Sequence, residues 1–226
     1  DFTIGVSRTI GEYYLPNHTS LFGKEQNIRL HLLVENTEQL SAFLYQKKID
    51  FALISGPVKS NDFEKLPFFE DEILLICAPE HPLSGKTVDY GQLSEQHLLL
   101  REQGSGVSDT VEKYLYQENH SLDTFHKVSR IGNIQLMKSY IKNNDGIGFL
   151  YRLSVEEELK EGSLSIITLK NFSMKQAYYL TYLKQSKKQR DIDAVLTTFF
   201  ATSSSLPKYS ITARDCTVGF GTYDRF

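Results

Sequence analysis

The chain contains no tryptophan, two cysteines and two methionines among 226 residues. Two cysteines, Cys77 and Cys216, cannot staple a disulfide scaffold. Cys77 lies in the apolar run Ile73–Ala78 and reads as a small buried hydrophobe. No apolar run approaches the roughly 20 residues that cross a bilayer as a helix, so a membrane partner is not expected. Positive charge is not in excess: 25 Lys and Arg stand against 28 Asp and Glu, for a net charge of −3. That balance argues against a nucleic-acid-binding surface in this chain. The densest basic stretch, residues 184–190, reads as a solvated helix start.

Catalytic and metal signatures are missing as well. There is no CxxC, HExxH, GxSxG or phosphate-loop pattern. The histidines at 18, 31, 81, 97, 120 and 126 are scattered without metal-ligand spacing. No catalytic residue, metal or cofactor is therefore expected. No leader sequence is visible, and the chain starts at Asp1 rather than at a methionine, which reads as a processed or cut terminus. Sequons at Asn17, Asn119 and Asn171 carry little weight in so Ser- and Thr-rich a chain. The runs Glu70-Asp71-Glu72 and Glu156-Glu157-Glu158 read as solvated faces.

What is present is a sizeable apolar fraction, 40% of residues, arranged as an α/β alternation. Strands are expected at 2–6, 28–35 and 49–55, with a helix after the polar Ser7-Arg8-Thr9 to about Lys24 and another after Asn36-Thr37 carrying Leu40, Phe43 and Leu44 at i, i+3, i+4. Two extended pieces, 66–69 and 72–78, then follow without a helix. A second alternating block comes next: strand 98–100, helix 105–118, strand 125–131, helix 133–143, strand 146–151, and a helix to Glu161 stopped by Gly162. Strands at 164–169 and 177–184 and a helix at 191–202 complete the pattern. The expectation is two Rossmann-like α/β lobes, each with its own sheet, joined by a double hinge around a cleft. Lobe I would hold residues 1–73 and 170–202, lobe II residues 74–169. Residues 203–226 read as a tail, either vector read-through or an ordered extension.

Four strand-to-helix turns share one design: Ser7-Arg8-Thr9, Asn36-Thr37, Gly104-Ser105-Gly106 and Gly132-Asn133. Each sets small polar residues at a helix start, where free N–H groups and the positive dipole end meet solvent. In open α/β sheets such turns lie at the carboxyl ends of strands, where ligands bind. Four together point to a polar or anionic small-molecule site, to which Arg8 and Arg101 would add charge.

The stretches IGVSRTIGEYYLP (4–16), IDFALISGP (49–57), DEILLICAPEHPL (71–83), LLLREQGSG (98–106), IGNIQLMKSYIKNNDGIGFL (131–150) and VEEELKEGSLSII (155–167) resemble, in order and spacing, the effector-binding domain of the bacterial LysR-type transcriptional regulators. The resemblance implies a type-2 periplasmic-binding-protein fold and a small anionic or carboxylate effector held between the lobes. Carried over residue by residue, the contacts would be Ser7, Arg8, Thr9, Asn36, Thr37, Ser55, Gly104, Ser105 and Asn133. A threonine and an arginine commonly follow the family's glycine-serine-glycine; Val107 and Ser108 stand here instead. The resemblance also implies a cytoplasmic homodimer, tetrameric at full length, that meets DNA only through an amino-terminal winged helix-turn-helix preceding Asp1. The alternative is an extracytoplasmic solute-binding protein of the same fold. For the dimer, surplus apolar surface is expected on the helix bearing Leu40, Phe43, Leu44 and Tyr45 and on the helix bearing Val111, Tyr114, Leu115 and Tyr116.

Overall fold

The computed structural model of the chain describes residues 2–19, 30–56, 58 and 60–184. The expected helix at 191–202, the tail from 203, Cys216 and the basic stretch after Lys184 lie outside these residues.

The amino-terminal half is a parallel β-α-β unit. Strand β1 (Phe2–Ser7) lies between β2 (Leu30–Glu35) and β3 (Phe51–Ser55), with Ile4 opposite both Leu32 and Phe51. Helix α1 (Thr37–Tyr45) connects β2 to β3 and buries Leu40 and Leu44 against Ile49, Ala52 and Ile54. Where the helix was expected after Ser7-Arg8-Thr9, the described residues form one π-type turn, Ile10–Tyr14, followed by a 3-10 turn, Leu15–Asn17; its expected end at 20–24 lies outside the described residues. Pro16 lacks the N–H that an α-ladder needs, so the winding changes there.

The two extended pieces are one strand, β4 (Phe63–Cys77), fifteen residues long. After β4 come two elements not expected from the sequence, β5 (Thr87–Val88) and helix α2 (Tyr90–Ser94). The signal for α2 was local: Asp89 and Gln92 form a reciprocal capping box. The second half centres on β6 (His97–Arg101), parallel to both β7 (Lys127–Ile131) and β8 (Ile147–Tyr151). Helices α3 (Gly106–Gln117) and α4 (Ile134–Lys142) make the crossovers. Helix α5 (Glu156–Glu161), β9 (Ser165–Leu169) and β10 (Met174–Leu183) follow.

The hydrogen-bonded order is β2-β1-β3-β10-β4-β8-β6-β7, with β9 and β5 to one side. Hydrogen bonding therefore runs unbroken from one half to the other, which corrects the expectation of a separate sheet in each. The reason is the length of β4. Phe63–Ile73 pair antiparallel with β10, and Ile73–Ile76 pair with β8, so one strand serves both halves.

The core likewise has one shared cluster and two local ones. Ile4, Val6, Phe51 and Leu53 join Leu98, Leu100, Val111 and Leu115 in a cluster that spans both halves. Leu40 and Leu44 sit in a second cluster, and Ile134, Met137 and Ile141 of α4 in a third. Leu40 and Leu44 are thus buried in their own half and Val111 and Leu115 in the shared cluster, and Tyr45 is hydrogen-bonded to Ser60 and Asp62. Tyr45 on α1 and Tyr116 on α3 are exposed, and so are Leu32, Leu33 and Val34 on β2 and Leu136 and Tyr140 on α4.

Two acidic runs depart from the solvated reading. Asp71 is buried and accepts hydrogen bonds from the Tyr178 hydroxyl at 2.6 Å and from the backbone of Glu72 and Leu153. Burial pushes its carboxyl above the usual range, and the Tyr178 hydroxyl pulls partly back. Glu158 pairs at 2.7 Å with Lys138, whose side chain is 4% exposed. An apolar neighbourhood on one side of each strand or helix outweighed the local charge pattern, because each carboxylate found a specific partner.

Candidate functional site

The parallel strands β1, β3 and β6 and the strand β8 end on the same cleft, built from Ser7, Ser55, Arg101 and Tyr151 at their carboxyl termini. The turns that follow add Arg8, Thr9, Asn36, Thr37, Glu102, Ser105 and Gly106. Eight of the ten residues expected from the sequence therefore come together: Ser7, Arg8, Thr9, Asn36, Thr37, Ser55, Arg101 and Ser105. Gly104 lies at the rim. It adopts a positive φ of +81°, and its carbonyl accepts the Glu38 N–H across the cleft at 3.2 Å. Asn133 does not line the cleft; its side chain caps its own helix, accepting the Leu136 N–H at 2.8 Å.

The hydroxyl lattice is tightly set. The Ser7 and Ser55 hydroxyls share a hydrogen at 3.0 Å, and the Ser7 oxygen also accepts the Ser55 N–H at 3.1 Å. Thr37 donates its hydroxyl to the Ser55 carbonyl at 3.0 Å. Asn36 is committed to the Gln39 N–H at 2.9 Å. Thr9 and Ser105, by contrast, are helix-start residues whose side chains make no capping bond. The α3 amino terminus therefore presents uncapped amides to the cleft beside a buried Ser105 hydroxyl.

The charges were only half foreseen. Arg101 is buried, with its Nη2 2.9 Å from Glu102 Oε2 and 3.3 Å from the Gly132 carbonyl. Arg8 donates to the same carbonyl at 3.1 Å and lies 3.5 Å from both Glu102 and Glu35. Burial lowers the proton affinity of Arg101, and Glu102 raises it. Glu102 and Tyr151 were not expected, although both stand at the carboxyl end of a strand, the position that should have flagged them. The family's missing threonine and arginine have structural substitutes. Val107 is core, and Ser108 donates to the Arg101 carbonyl at 3.0 Å.

Five buried side-chain polar atoms lack a hydrogen bond among the described residues, and four belong to this cleft: Arg8 Nε, Arg101 Nε, Glu102 Oε2 and the Tyr151 hydroxyl. Tyr151 faces Ser55 without a well-formed bond, and burial pushes its ionisation upward. Unpaired buried polar atoms are costly and rare. The cleft itself is shut to about 10 Å³, room for about one water-sized sphere. Among the described residues no group of three or more His, Cys, Asp or Glu side chains is placed to hold a metal, and no helix is long and apolar enough to cross a membrane.

Polar turns thus gather at strand ends, between two α/β halves that share a strand. The chain belongs to the LysR substrate binding domain family, whose family model matches residues 1–202. It is 29% identical over 196 residues to the HTH-type transcriptional regulator CysL of Bacillus subtilis, an alignment that covers 85% of this chain and 64% of that protein. It is 25% identical over 181 residues to the RuBisCO operon transcriptional regulator of Allochromatium vinosum, covering 79% of this chain and 59% of that protein. The chain thus spans less than two thirds of the curated relatives it matches. Its fold matches the CcmR regulatory domain of Synechocystis, solved in complex with 2-PG, with a TM-score of 0.75 and 22% identity over 90% of this chain and 98% of that one. A TM-score of 0.72 relates it to the effector binding domain of QuiR in complex with shikimate, at 18% identity over 89% of this chain and 94% of that one. These relatives are transcriptional regulators, not enzymes or extracytoplasmic solute-binding proteins, so that alternative is set aside.

Proposed function

We propose that this chain is the effector-sensing domain of a LysR-type transcriptional regulator and binds a small polar or anionic metabolite in the cleft at Ser7, Arg8, Thr9, Thr37, Ser55, Arg101 and Ser105. The observation that carries this reading is the convergence on one cleft, at the strand ends, of four buried polar atoms that make no well-formed hydrogen bond among the described residues. The uncapped start of α3 favours an anion or carboxylate there. The solved structures holding 2-PG and shikimate support a small-molecule effector on this fold.

At about 10 Å³ the cleft admits no metabolite, so binding requires the halves to part and then close on the ligand. We assign the moving bodies as lobe I, residues 1–73 and 170–202, and lobe II, residues 74–169, hinged at the β4/β10 crossing. In the full-length protein, acting in the cytoplasm, this closure would alter DNA binding by an amino-terminal winged helix-turn-helix. The domain would pair as a homodimer, with tetramers at full length. The exposed apolar residues of the edge strand β2 and of α4, with Tyr45 of α1 and Tyr116 of α3, would form the dimer surface.

A thermal-shift screen of small metabolites tests the reading. A ligand held at 100 times its Kd stabilises the fold by about 2.7 kcal/mol. Thr9→Ala or Thr37→Ala should remove about 0.5–1.5 kcal/mol of that binding. If no polar or acidic metabolite stabilises the protein, or if stabilisation is indifferent to both substitutions, the proposal fails.

A further inference from the structure

We propose that Glu102 sets the ligand specificity of this cleft: its carboxylate holds the guanidinium groups of Arg8 and Arg101 in the closed arrangement, and an acidic effector binds by taking those groups over. The inference rests on the reading of the cleft as the effector site and names the chemistry of admission to it.

The geometry is that of an incomplete salt bridge. Glu102 Oε2 is 2.9 Å from Arg101 Nη2, its Oε1 is 3.2 Å from the same nitrogen, and its Oε1 is 3.5 Å from Arg8 Nε. Both arginines also converge on one carbonyl, that of Gly132, at 3.1 and 3.3 Å, which fixes their heads side by side. Yet Arg8 Nε, Arg101 Nε and Glu102 Oε2 are buried without a hydrogen bond. A buried pair kept for stability saturates its donors and acceptors, because an unsaturated one leaves the desolvation cost uncompensated. Here each guanidinium keeps part of its fork unused, whereas a carboxylate, sulfate or phosphate can engage an Nε and an Nη together.

Glu102 is also placed to leave. It is the first residue after β6, its side chain is 21% exposed while that of Arg101 is 3% exposed, and Gly104 at φ +81° follows two residues on. With Glu102 in place, the two cations of the cleft are already opposed by a carboxylate. A ligand without an acid group cannot compete for them. A compact anion that spans both arginines can, and the uncapped amides of α3 lie on the same cleft to receive its charge.

The test is titration calorimetry of the purified chain with inorganic sulfate and inorganic phosphate at fixed ionic strength, on wild type, Glu102→Gln, Glu35→Gln, Arg8→Gln and the Glu102→Gln/Arg8→Gln double variant. Glu35 contacts Arg8 at 3.5 Å and serves as the control for loss of one negative charge near the cleft. Glu102→Gln is expected to bind at least one of the anions tenfold or more tightly than wild type, Glu35→Gln less than threefold, and the double variant should lose the gain. Equal binding by wild type and Glu102→Gln, with loss in Arg8→Gln, would overturn the role of Glu102 and leave the cleft as an anion site. An equal gain in Glu35→Gln and Glu102→Gln, or weaker binding in Glu102→Gln, would overturn it too. Absence of binding in every variant would overturn both this inference and the anionic-effector reading beneath it.

Discussion

Gly106, the first residue of α3, packs its backbone directly on the Ser55 carbonyl at the end of β3, with Gly56 against it from the same side. A β-carbon on Gly106 would overlap the Ser55 oxygen, and one on Gly56 would lie 2.7 Å from the Gly106 α-carbon. Backbone-on-backbone contact across the cleft is what lets it shut.

Gly106→Ala is therefore expected to wedge the halves apart. Overpacking of this kind costs about 1–3 kcal/mol, read from denaturant unfolding. Small-angle scattering should show a larger radius of gyration than wild type. An unchanged radius and unchanged stability would show that the glycine contact does not hold the closed arrangement.

Tyr151→Phe tests the unpaired hydroxyl. Removing a buried polar atom that has no partner should leave stability unchanged or raise it by about 1 kcal/mol, while ligand binding weakens. A loss of stability above about 1 kcal/mol would mean the hydroxyl is structurally paired, and the cleft would lose one of its four open groups.

The Lys138–Glu158 pair gives a pH signature. Burial, the largest single influence, would raise the Glu158 carboxyl, but hydrogen bonds from Lys138 and the backbone together with the charges of Lys138 and Lys142 outweigh it and hold the carboxyl below its ordinary value of 4.5. A depressed carboxyl contributes stability above its unfolded value and loses it as pH falls through the folded one. Wild type should therefore lose stability progressively below about pH 4.5 with a component that Glu158→Gln lacks. At neutral pH that substitution should cost about 3 kcal/mol, since Lys138 is left buried without a carboxylate, held by the Ser154 carbonyl at 2.9 Å and the Tyr13 ring at 4.8 Å. Parallel pH–stability curves for the two proteins would contradict this.

The strand ends and helix starts were legible because their signals are local. Val6-Ser7, Leu53-Ile54-Ser55 and Leu99-Leu100-Arg101 each read as an apolar run ending in a polar residue, and each ends at the cleft. What was not legible depends on distant partners. Asp71 sits in an acidic run, yet it meets Tyr178 from 107 residues away. Nothing in the sequence around Glu102 announces Arg8, which meets it from the other half. The merging of 66–69 and 72–78 into one strand was hidden by the acidic pair Glu70-Asp71 between them, which continues the ladder opposite Ala177 and Gln176.

The most direct measurement of the central claim is backbone amide chemical-shift mapping during titration with a stabilising small anion found by the thermal screen. The account expects the largest shifts at Ser7, Arg8, Thr9, Thr37, Ser55 and Ser105–Gly106, with smaller shifts along the β4/β10 crossing as the halves close. Shifts centred instead on the neighbouring cavity of about 290 Å³ at Ser41, Tyr45 and Ser60, with Ser7, Thr9 and Ser105 silent, would contradict it.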